Sequence, residues 1–485
     1  MDNHTPDHKH VHLIGICGTA MASLAGLLQL SGWHVTGSDA AVYPPMSDLL
    51  AELNIPIRQP FAEANLQPRP DHIIVGNAIS RGNVELEYAL DEKIPVHSMA
   101  QTIHEQFLRG RESLVVAGTH GKTTTTSMLA WIYQVASQSD PKWEPSFLVG
   151  GVAENFGASF ALRPTQPFIL EGDEYDTAFF DKGPKFLHYF PDALILTHVE
   201  FDHADIYADL NAVRTAFQRL VNIVPRRGRI IAFDASNNVT DCLARAFCSV
   251  ERYGFSTNSH WSISNFQTKG DRSLWSVAQK GEPWANFEMP FVGEHNVLNA
   301  TAAAALASGQ GVPLPAIQQA LASFRSVKRR LEVCAEVDGI TIIDDFAHHP
   351  TAIRETLRAL RARYPERRLW AVLEPRSNTL RRNVFEKELI ESLALADQVI
   401  LAAIFQAEKI PEGQRLHAEN VVAALNSKSV PSALLPDVLA IITKLTEQAM
   451  SGDVIAILSN GGFGDIYRKL PERLEQRAVA SGSKS

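Results

Sequence analysis

The chain has 485 residues, 45% hydrophobic and 20% charged, with a formal net charge of −9. That length suggests about three domains, and the composition is that of an ordinary globular protein. The acidic balance excludes a general attraction to nucleic acid or an anionic membrane, and no apolar run reaches the roughly 20 residues that span a bilayer.

The start, "MDNHTPDHKH", is polar and His-rich. It is no secretory signal and reads as a frayed tail. Four cysteines, at 17, 242, 248 and 334, lack C-x-x-C spacing, which fits a reduced, cytoplasmic setting. A first α/β block, residues 1–112, opens with "HVHLIGICGTAMASLAGLLQLSGWHVTGSD": strand, Gly turn, helix, strand. Further strands are expected at "DHIIVGNA" and "IPVHS", and the alternation predicts a parallel sheet. Gly15 and Gly18 can bring backbone N–H groups to a pyrophosphate at a helix start. Asp39 ends the second strand, where a ribose or base can be met. A G-x-G-x-x-G fingerprint would need glycine where Cys17 stands, so a structural turn is an equal reading.

A second block, residues 113–325, begins with "VVAGTHGKTTTTSML". Ser113 to Ala117 reads as a buried strand. Gly118 and Gly121 supply a tight turn whose amides can approach phosphate oxygens. Lys122 adds a cation and Thr123 a hydroxyl for a metal ion. The following helix, Thr124 to Gln134, aims its positive end at the anion. The loop is two residues shorter than G-x-x-x-x-G-K-[ST]. Strands follow at "FILEGDE", "ALILTHVE" and "GRIIAFD". The first two run into acidic clusters: Glu171, Asp173, Glu174 and Asp176, then Glu200, Asp202, His203 and Asp205. Hard oxygen ligands of this kind suit Mg²⁺, and both clusters are read as metal-binding. Residues 260–293 alternate and carry turn signals, predicting a small antiparallel sheet. A helical pair, 295–309 and 314–324, closes the block. Its first turn carries His295, Asn296 and Asn299, able to cap the helix or meet a base edge.

A third α/β block, residues 326–485, opens with Lys328, Arg329 and Arg330 at the boundary. "IIDDFAHHPT" places Asp344, Asp345, His348 and His349 after a strand. "LEPRSNT" does the same for Arg376, Ser377 and Asn378. "SNGGFGDI" is a Gly-rich turn into the last helix, and "SGSKS" reads as a loose tail.

Taken in order, "AGTHGKTTTT", "EGDEYD", "FDHADIY", "GEHNVLNATAA", "RRLEV" and "DDFAHHPT" resemble the Mur ligases, the ATP-dependent amide-forming enzymes of peptidoglycan assembly. The resemblance covers nearly the whole chain. It implies an α/β fold of three domains: a Rossmann-like N-terminal domain for UDP-N-acetylmuramate, a P-loop-type central ATPase domain with a small antiparallel sheet, and a Rossmann-like C-terminal peptide-binding domain. "GICGTAM", "YPPMSDLL", "GNAISRGN", "EPRSNT" and "SNGGFGDI" look like the members that join L-alanyl-γ-D-glutamyl-meso-diaminopimelate, the murein tripeptide, to UDP-N-acetylmuramate. The alternative is a UDP-N-acetylmuramate–L-alanine ligase. Two motifs depart from the family's usual "EADEYD" and "NNLEFDHAD"; neither departure removes an expected ligand.

The resemblance also implies roles. Gly118, Thr119, His120, Gly121, Lys122, Thr123 and Thr124 would cradle ATP, with Lys122 on the β- and γ-phosphates. Thr123 and Glu171 would hold one Mg²⁺ and His203 a second. Asn296 and Asn299 would meet the adenine, Asp345 the ribose and Arg330 the γ-phosphate. Lys122, His203, Arg330 and His348 would carry the chemistry. Gly15, Gly18, Thr19, Met21 and Asp39 would hold the UDP moiety, and Arg376 with Ser377 the peptide. Cytoplasmic location, no nucleic-acid or membrane partner, and a monomer or weak dimer complete the expectations. A folylpolyglutamate synthase shares the ATP chemistry but lacks a separate domain before its phosphate loop. Cys17 in the fingerprint argues against a nicotinamide oxidoreductase, and a nucleotide-gated module without catalysis remains a rival.

Overall fold

The computed structural model describes residues 9–42 and 46–482. The tail expected at residues 1–8 lies outside the described residues, as do positions 43–45 of "YPPMSDLL" and 483–485 of "SGSKS". The last helix, Ile466–Gly482, takes in the first two residues of that loose tail.

Three large sheets succeed one another along the chain, with a two-stranded one, Asp176–Ala178 and Asp181–Pro184, beside the second. The first has five parallel strands, His10–Ile14, His34–Ser38, Ile57–Arg58, His72–Val75 and Val96–Ser98. Their order is third, second, first, fourth, fifth. The direction of winding therefore reverses beside the first strand, where a crevice opens at the carboxyl ends. The Gly15 turn sits there at φ +82°, close to Gly76 of the fourth strand's exit. The helix after it, Thr19–Leu30, is buried over most of its surface. One side covers its own sheet and the other meets the central domain. A Cβ on Gly26 would fall 2.1 Å from the Phe160 ring, and Ser23 Oγ lies 2.7 Å from Ser159 Oγ. The missing side chain is what lets the two domains approach.

The central sheet has ten strands. Glu112–Ala117 lies in its middle, parallel to Pro167–Gly172 on one side and Ala193–Leu196 on the other. Ala117 is in register with both Gly172 and Leu196. All three strands thus end level, and both acidic loops emerge beside the phosphate loop. This register, unreadable from either motif alone, builds the site.

The expected small antiparallel sheet is not separate. Trp261–Lys269, Arg272–Gln279 and Glu282–Met289 pair antiparallel with one another. The first also pairs in parallel with Ser249–Gly254, so the hairpins extend the central sheet. Trp261, Trp275 and Phe287 share the central core, and Trp275 donates its indole N–H to Thr301 Oγ1 at 3.1 Å. Burying three large aromatics against the helix Glu294–Gly309 fixes the hairpins there.

The phosphate-loop helix, Lys122–Ala136, begins two residues earlier than expected and is largely buried. Thr126 and Ser127 satisfy their hydroxyls by donating to the carbonyls of Lys122 and Thr123, each at 2.8 Å, as buried Ser and Thr do in helices. Its neighbour Glu294–Gly309 presents Ala300 and Ala302 to Ala305, small side chains that permit close packing. The third sheet has six strands, five of them parallel, with Glu332–Val337 antiparallel at one edge. Ile340–Asp345 and Leu369–Leu373 flank Val454–Leu458 at its centre, so the loops after all three open toward the central domain.

Gly118 is a tight point of this arrangement. Its φ is +136°, and a Cβ there would stand 2.1 Å from Thr197 Oγ1 and 2.9 Å from the backbone N and O of His198. Gly118→Ala is expected to cost about 1–3 kcal/mol through strain and overpacking. Chemical denaturation checks this, and an unchanged midpoint would show that the loop is free to shift.

Candidate active site

The phosphate loop is shaped by its glycines. Gly121 caps the helix from the left-handed region, φ +80°, and a Cβ would meet Asn299 Oδ1 at 2.6 Å. Thr119 N donates to His198 O at 2.7 Å, and Thr197 Oγ1 donates to His120 O at 2.6 Å. The loop is therefore pinned to the end of the neighbouring strand before any ligand arrives.

Lys122 turns back over its own loop. Its Nζ donates to Gly118 O at 2.8 Å and to Glu174 Oε1 at 3.0 Å, with Glu174 Oε2 at 2.8 Å. Burial disfavours the ammonium, but the carboxylates of Glu174, Asp173 and Glu171 outweigh it and raise Lys122 above the ordinary lysine value. Thr123 Oγ1 donates to Glu171 Oε1 at 3.0 Å, and Glu171 Oε2 accepts from Gly150 N at 2.8 Å. Burial raises the Glu171 carboxyl against the pull of Lys122. A hydroxyl and a carboxylate facing each other at a helix N-terminus are the oxygen donors a Mg²⁺ ion takes, so these two residues fit that ion.

His203 reaches the carboxylate that holds Lys122. Its Nε2 lies 3.2 Å from Glu174 Oε1. Burial alone would lower its pKa, but the bond to Glu174 and that carboxylate's charge raise it to about 9. Without a metal it is a cation beside that carboxylate, and Nε2 would give up its proton to serve the expected second Mg²⁺. The carboxylates of the second acidic cluster also reach across to the next domain. Asp202 Oδ1 accepts from Thr379 Oγ1 at 2.6 Å, Asp205 Oδ2 from Asn378 Nδ2 at 2.8 Å and Glu200 Oε2 from Thr351 Oγ1 at 2.7 Å. These carboxylates fasten the C-terminal domain to the central one.

Between the two domains lies a cavity of about 570 Å³. His120, Gly121 and Thr124 form one end, and Asn296, Asn299, Arg330 and Asp345 line its wall. The expected nucleotide residues of three separate motifs therefore meet in one space of ligand size. Asn296 Nδ2 donates to Val292 O at 2.9 Å, a bond that orients the amide. Arg330 stacks on Phe346, 5.1 Å from the ring centroid. Asp345 accepts from Leu331 N, Ala347 N and Thr356 Oγ1, so both of its oxygens are engaged within the domain. The motifs did not point to His198, Phe233, Asp234, Arg354 and Glu355, which also line the cavity. Only their places just after strands or in the helix Pro350–Arg363 could have signalled them.

Other expected residues fall elsewhere. Gly18 and Thr19 are exposed at the first-domain turn, but Met21 is buried in the core beneath it. The helix period turns the Met21 side chain inward, directly beneath the Gly18 and Gly76 backbone. Asp39 Oδ2 accepts from Cys17 N at 2.8 Å, and Oδ1 from Ala41 N at 3.1 Å, so it shapes the turn. Arg376 lies 3.5 Å from Glu374 and stacks on Phe405 at 3.8 Å, its side chain 30% exposed. Ser377 is buried, donating to His348 O and capping Leu380 N. Its hydroxyl is committed inside the domain. His348 Nδ1 bonds Phe346 O at 2.8 Å, leaving Nε2 as its outward atom.

Comparison with known proteins matches this geometry. Residues 10–110 match the Mur ligase family catalytic domain, 116–307 the Mur ligase middle domain and 329–461 the Mur ligase glutamate ligase domain. The UDP-N-acetylmuramate–L-alanyl-γ-D-glutamyl-meso-2,6-diaminoheptandioate ligase of Escherichia coli (strain K12) is 43% identical, covering 97% of this chain and 99% of its own. The UDP-N-acetylmuramate–L-alanine ligase of Desulfitobacterium hafniense (strain Y51) is 30% identical, covering 95% and 98%. The crystal structure of a murein peptide ligase from Psychrobacter arcticus 273-4 superposes with a TM-score of 0.71 at 36% identity, covering 96% and 99%. With three family domains in order and identity of this degree over almost the full length, the chain belongs to the Mur ligase family.

Proposed function

We propose that the chain is an ATP-dependent ligase that joins the tripeptide L-alanyl-γ-D-glutamyl-meso-diaminopimelate to UDP-N-acetylmuramate in peptidoglycan recycling. The observation that carries the ATP chemistry is the cluster of Lys122, Thr123, Glu171 and Glu174, on the same loop whose His120, Gly121 and Thr124 line the interdomain cavity. The tripeptide is favoured over alanine because the Escherichia coli tripeptide ligase shares more of this sequence than the alanine ligase does. The domain division that follows is 1–112 for UDP-N-acetylmuramate, 113–325 for ATP and 326–485 for the peptide. Cytoplasmic action fits the four free cysteines, and a monomer or weak dimer is the proposed state.

In this reading the muramate lactyl carboxylate attacks the γ-phosphorus of ATP, giving an acyl phosphate and ADP. The peptide's alanine amine then adds to the acyl carbon, and the tetrahedral adduct expels phosphate to leave the amide. Lys122 exchanges Glu174 for phosphate oxygens, and Arg330 supplies a second cation from across the cavity. Thr123 and Glu171 would hold Mg²⁺, which screens phosphate charge when bound. The protein's own share is positioning and fixed charge. Phosphate release that requires both UDP-N-acetylmuramate and tripeptide, and falls sharply when alanine replaces the peptide, is the expected result. Release without either acceptor or peptide would sink the ligase reading.

Lys122→Ala should abolish ligation, a loss of at least about a hundredfold for a phosphate-holding cation. His203 stays paired with Glu174 in that variant, so circular dichroism should remain native. A collapsed spectrum would make Lys122 a structural residue.

His203 links stability to pH. Its folded value of about 9 lies above the ordinary 6.5. The stabilisation from its charge is therefore complete below about pH 6.5 and disappears as pH rises through about 9. Relative to wild type, His203→Gln should cost up to ~3 kcal/mol near pH 6 and almost nothing near pH 10. Denaturation curves that differ equally at both values would refute the imidazolium assignment.

Arg376 is the proposed peptide anchor, since its fork can clamp a carboxylate. Its stacking on Phe405 leaves the head partly open. Arg376→Lys should raise the KM for tripeptide severalfold while those for ATP and UDP-N-acetylmuramate hold. Equal rises for all three would reduce Arg376 to the partner of Glu374.

A further inference from the structure

We propose that His120, Glu200 and His349 form a site for a borderline divalent ion such as Zn²⁺, bridging the phosphate loop and the C-terminal domain. Their ligand atoms all lie within 4.8 Å of one another. His120 Nε2 is 3.1 Å from Glu200 Oε2, and His349 Nδ1 is 3.6 Å from the same oxygen. Two ligands on a tetrahedral ion with bonds of about 2.0–2.1 Å stand roughly 3.3 Å apart. The two separations bracket that edge.

The surroundings aim these atoms as metal sites do. His349 Nε2 faces Phe201 O at 3.2 Å. A carbonyl only accepts, so that nitrogen carries the proton and Nδ1 keeps its lone pair toward Glu200. Anchoring of the distal N–H by a backbone carbonyl is the usual way a ligating imidazole is oriented. The competing bond to Nδ1, from Thr351 N, is long at 3.3 Å. Thr351 Oγ1 holds the Glu200 carboxylate at 2.7 Å, and the His120 and His349 rings lie 4.5 Å apart.

The donor set decides which ion. Two imidazole nitrogens and one carboxylate suit Zn²⁺ or Co²⁺, whereas Mg²⁺ takes oxygen. This site is therefore distinct from the Thr123–Glu171 oxygen pair. Three protein ligands leave a fourth position, and His120 and Glu200 also line the nucleotide cavity. An ion here would staple the helix Pro350–Arg363, through its capping residue His349, to the phosphate loop.

The test uses the full chain with His4→Ala and His8→Ala, because tail histidines also bind metals. One equivalent of Co²⁺ should give the visible absorption of a four-coordinate ion, displaced by Zn²⁺. His349→Asn keeps a good helix cap and should lose the band. Glu200→Gln should weaken binding by more than the roughly 10–100-fold that loss of an outer-shell partner costs. Without any change to these three residues, saturating Zn²⁺ should protect His120 from diethylpyrocarbonate, read by mass spectrometry. No band in the unmutated site, a band unchanged in both variants, or undiminished His120 labelling each overturns the site.

Discussion

The ammonium of Lys122 is the constraint around which the central domain is arranged. Withdrawing such a charge from water costs several kcal/mol, and only close, well-placed counter-charges offset it. Glu174 supplies two oxygens within 3.0 Å, and Asp173 of the same loop and Glu171 near the end of the preceding strand add field. That loop can stand there only because the strands ending at Ala117 and Gly172 are in register. A slip of one residue would turn every side chain on the second strand to the other face and strand the lysine. A phosphate oxygen must therefore compete with Glu174 for the same cation. Competition of this kind makes binding depend on the remaining donors of the loop.

Glu174 is shared by a second cation, His203, whose backbone lies in the left-handed region at φ 54°. A non-glycine residue pays about 1–3 kcal/mol to sit there. The strain persists because the residue is over-determined: Asp202 Oδ1 takes its N–H at 2.7 Å and Glu174 takes its ring. Glycine would relax the backbone and lose the charge. Strain of this sort is tolerated where a side chain has to be aimed, and His203 is aimed at the carboxylate that holds Lys122.

What could be read from the sequence was local. A glycine turn between a strand and a helix imposes its geometry on its own neighbours, so the phosphate loop was legible from a dozen letters. So were the alternating strands and helices. Contacts made across long separations were not. Glu200 looks like one acid among several, yet its partner Thr351 is 151 positions away. Ser377 and Met21 sit beside plausible ligand residues, but a cap and a helix period turn them inward. The hairpins of 260–293 show their alternation, and nothing in that alternation says they join a larger sheet through Tyr253 and Trp261.

The three domains are joined in two different ways. The first meets the second through packing: Gly26 leaves room for Phe160, and the helix Thr19–Leu30 belongs to a core cluster that continues into the central domain. Such a contact resists separation because water would enter an apolar seam. The third meets the second mainly through polar side chains, Thr379, Asn378 and Thr351 on Asp202, Asp205 and Glu200, with Val292 packed into its core cluster and Phe201 beside Phe385. Polar contacts can be exchanged for water at small net cost. The linker between them carries Ser326, Arg329 and Leu331 in the left-handed region, each tied by its own bonds, as when Leu331 N donates to Asp345 Oδ2. Glu200 and Thr351 of the polar seam also line the nucleotide cavity, so the residues that join the C-terminal domain to the central one are among those that shape the nucleotide's space.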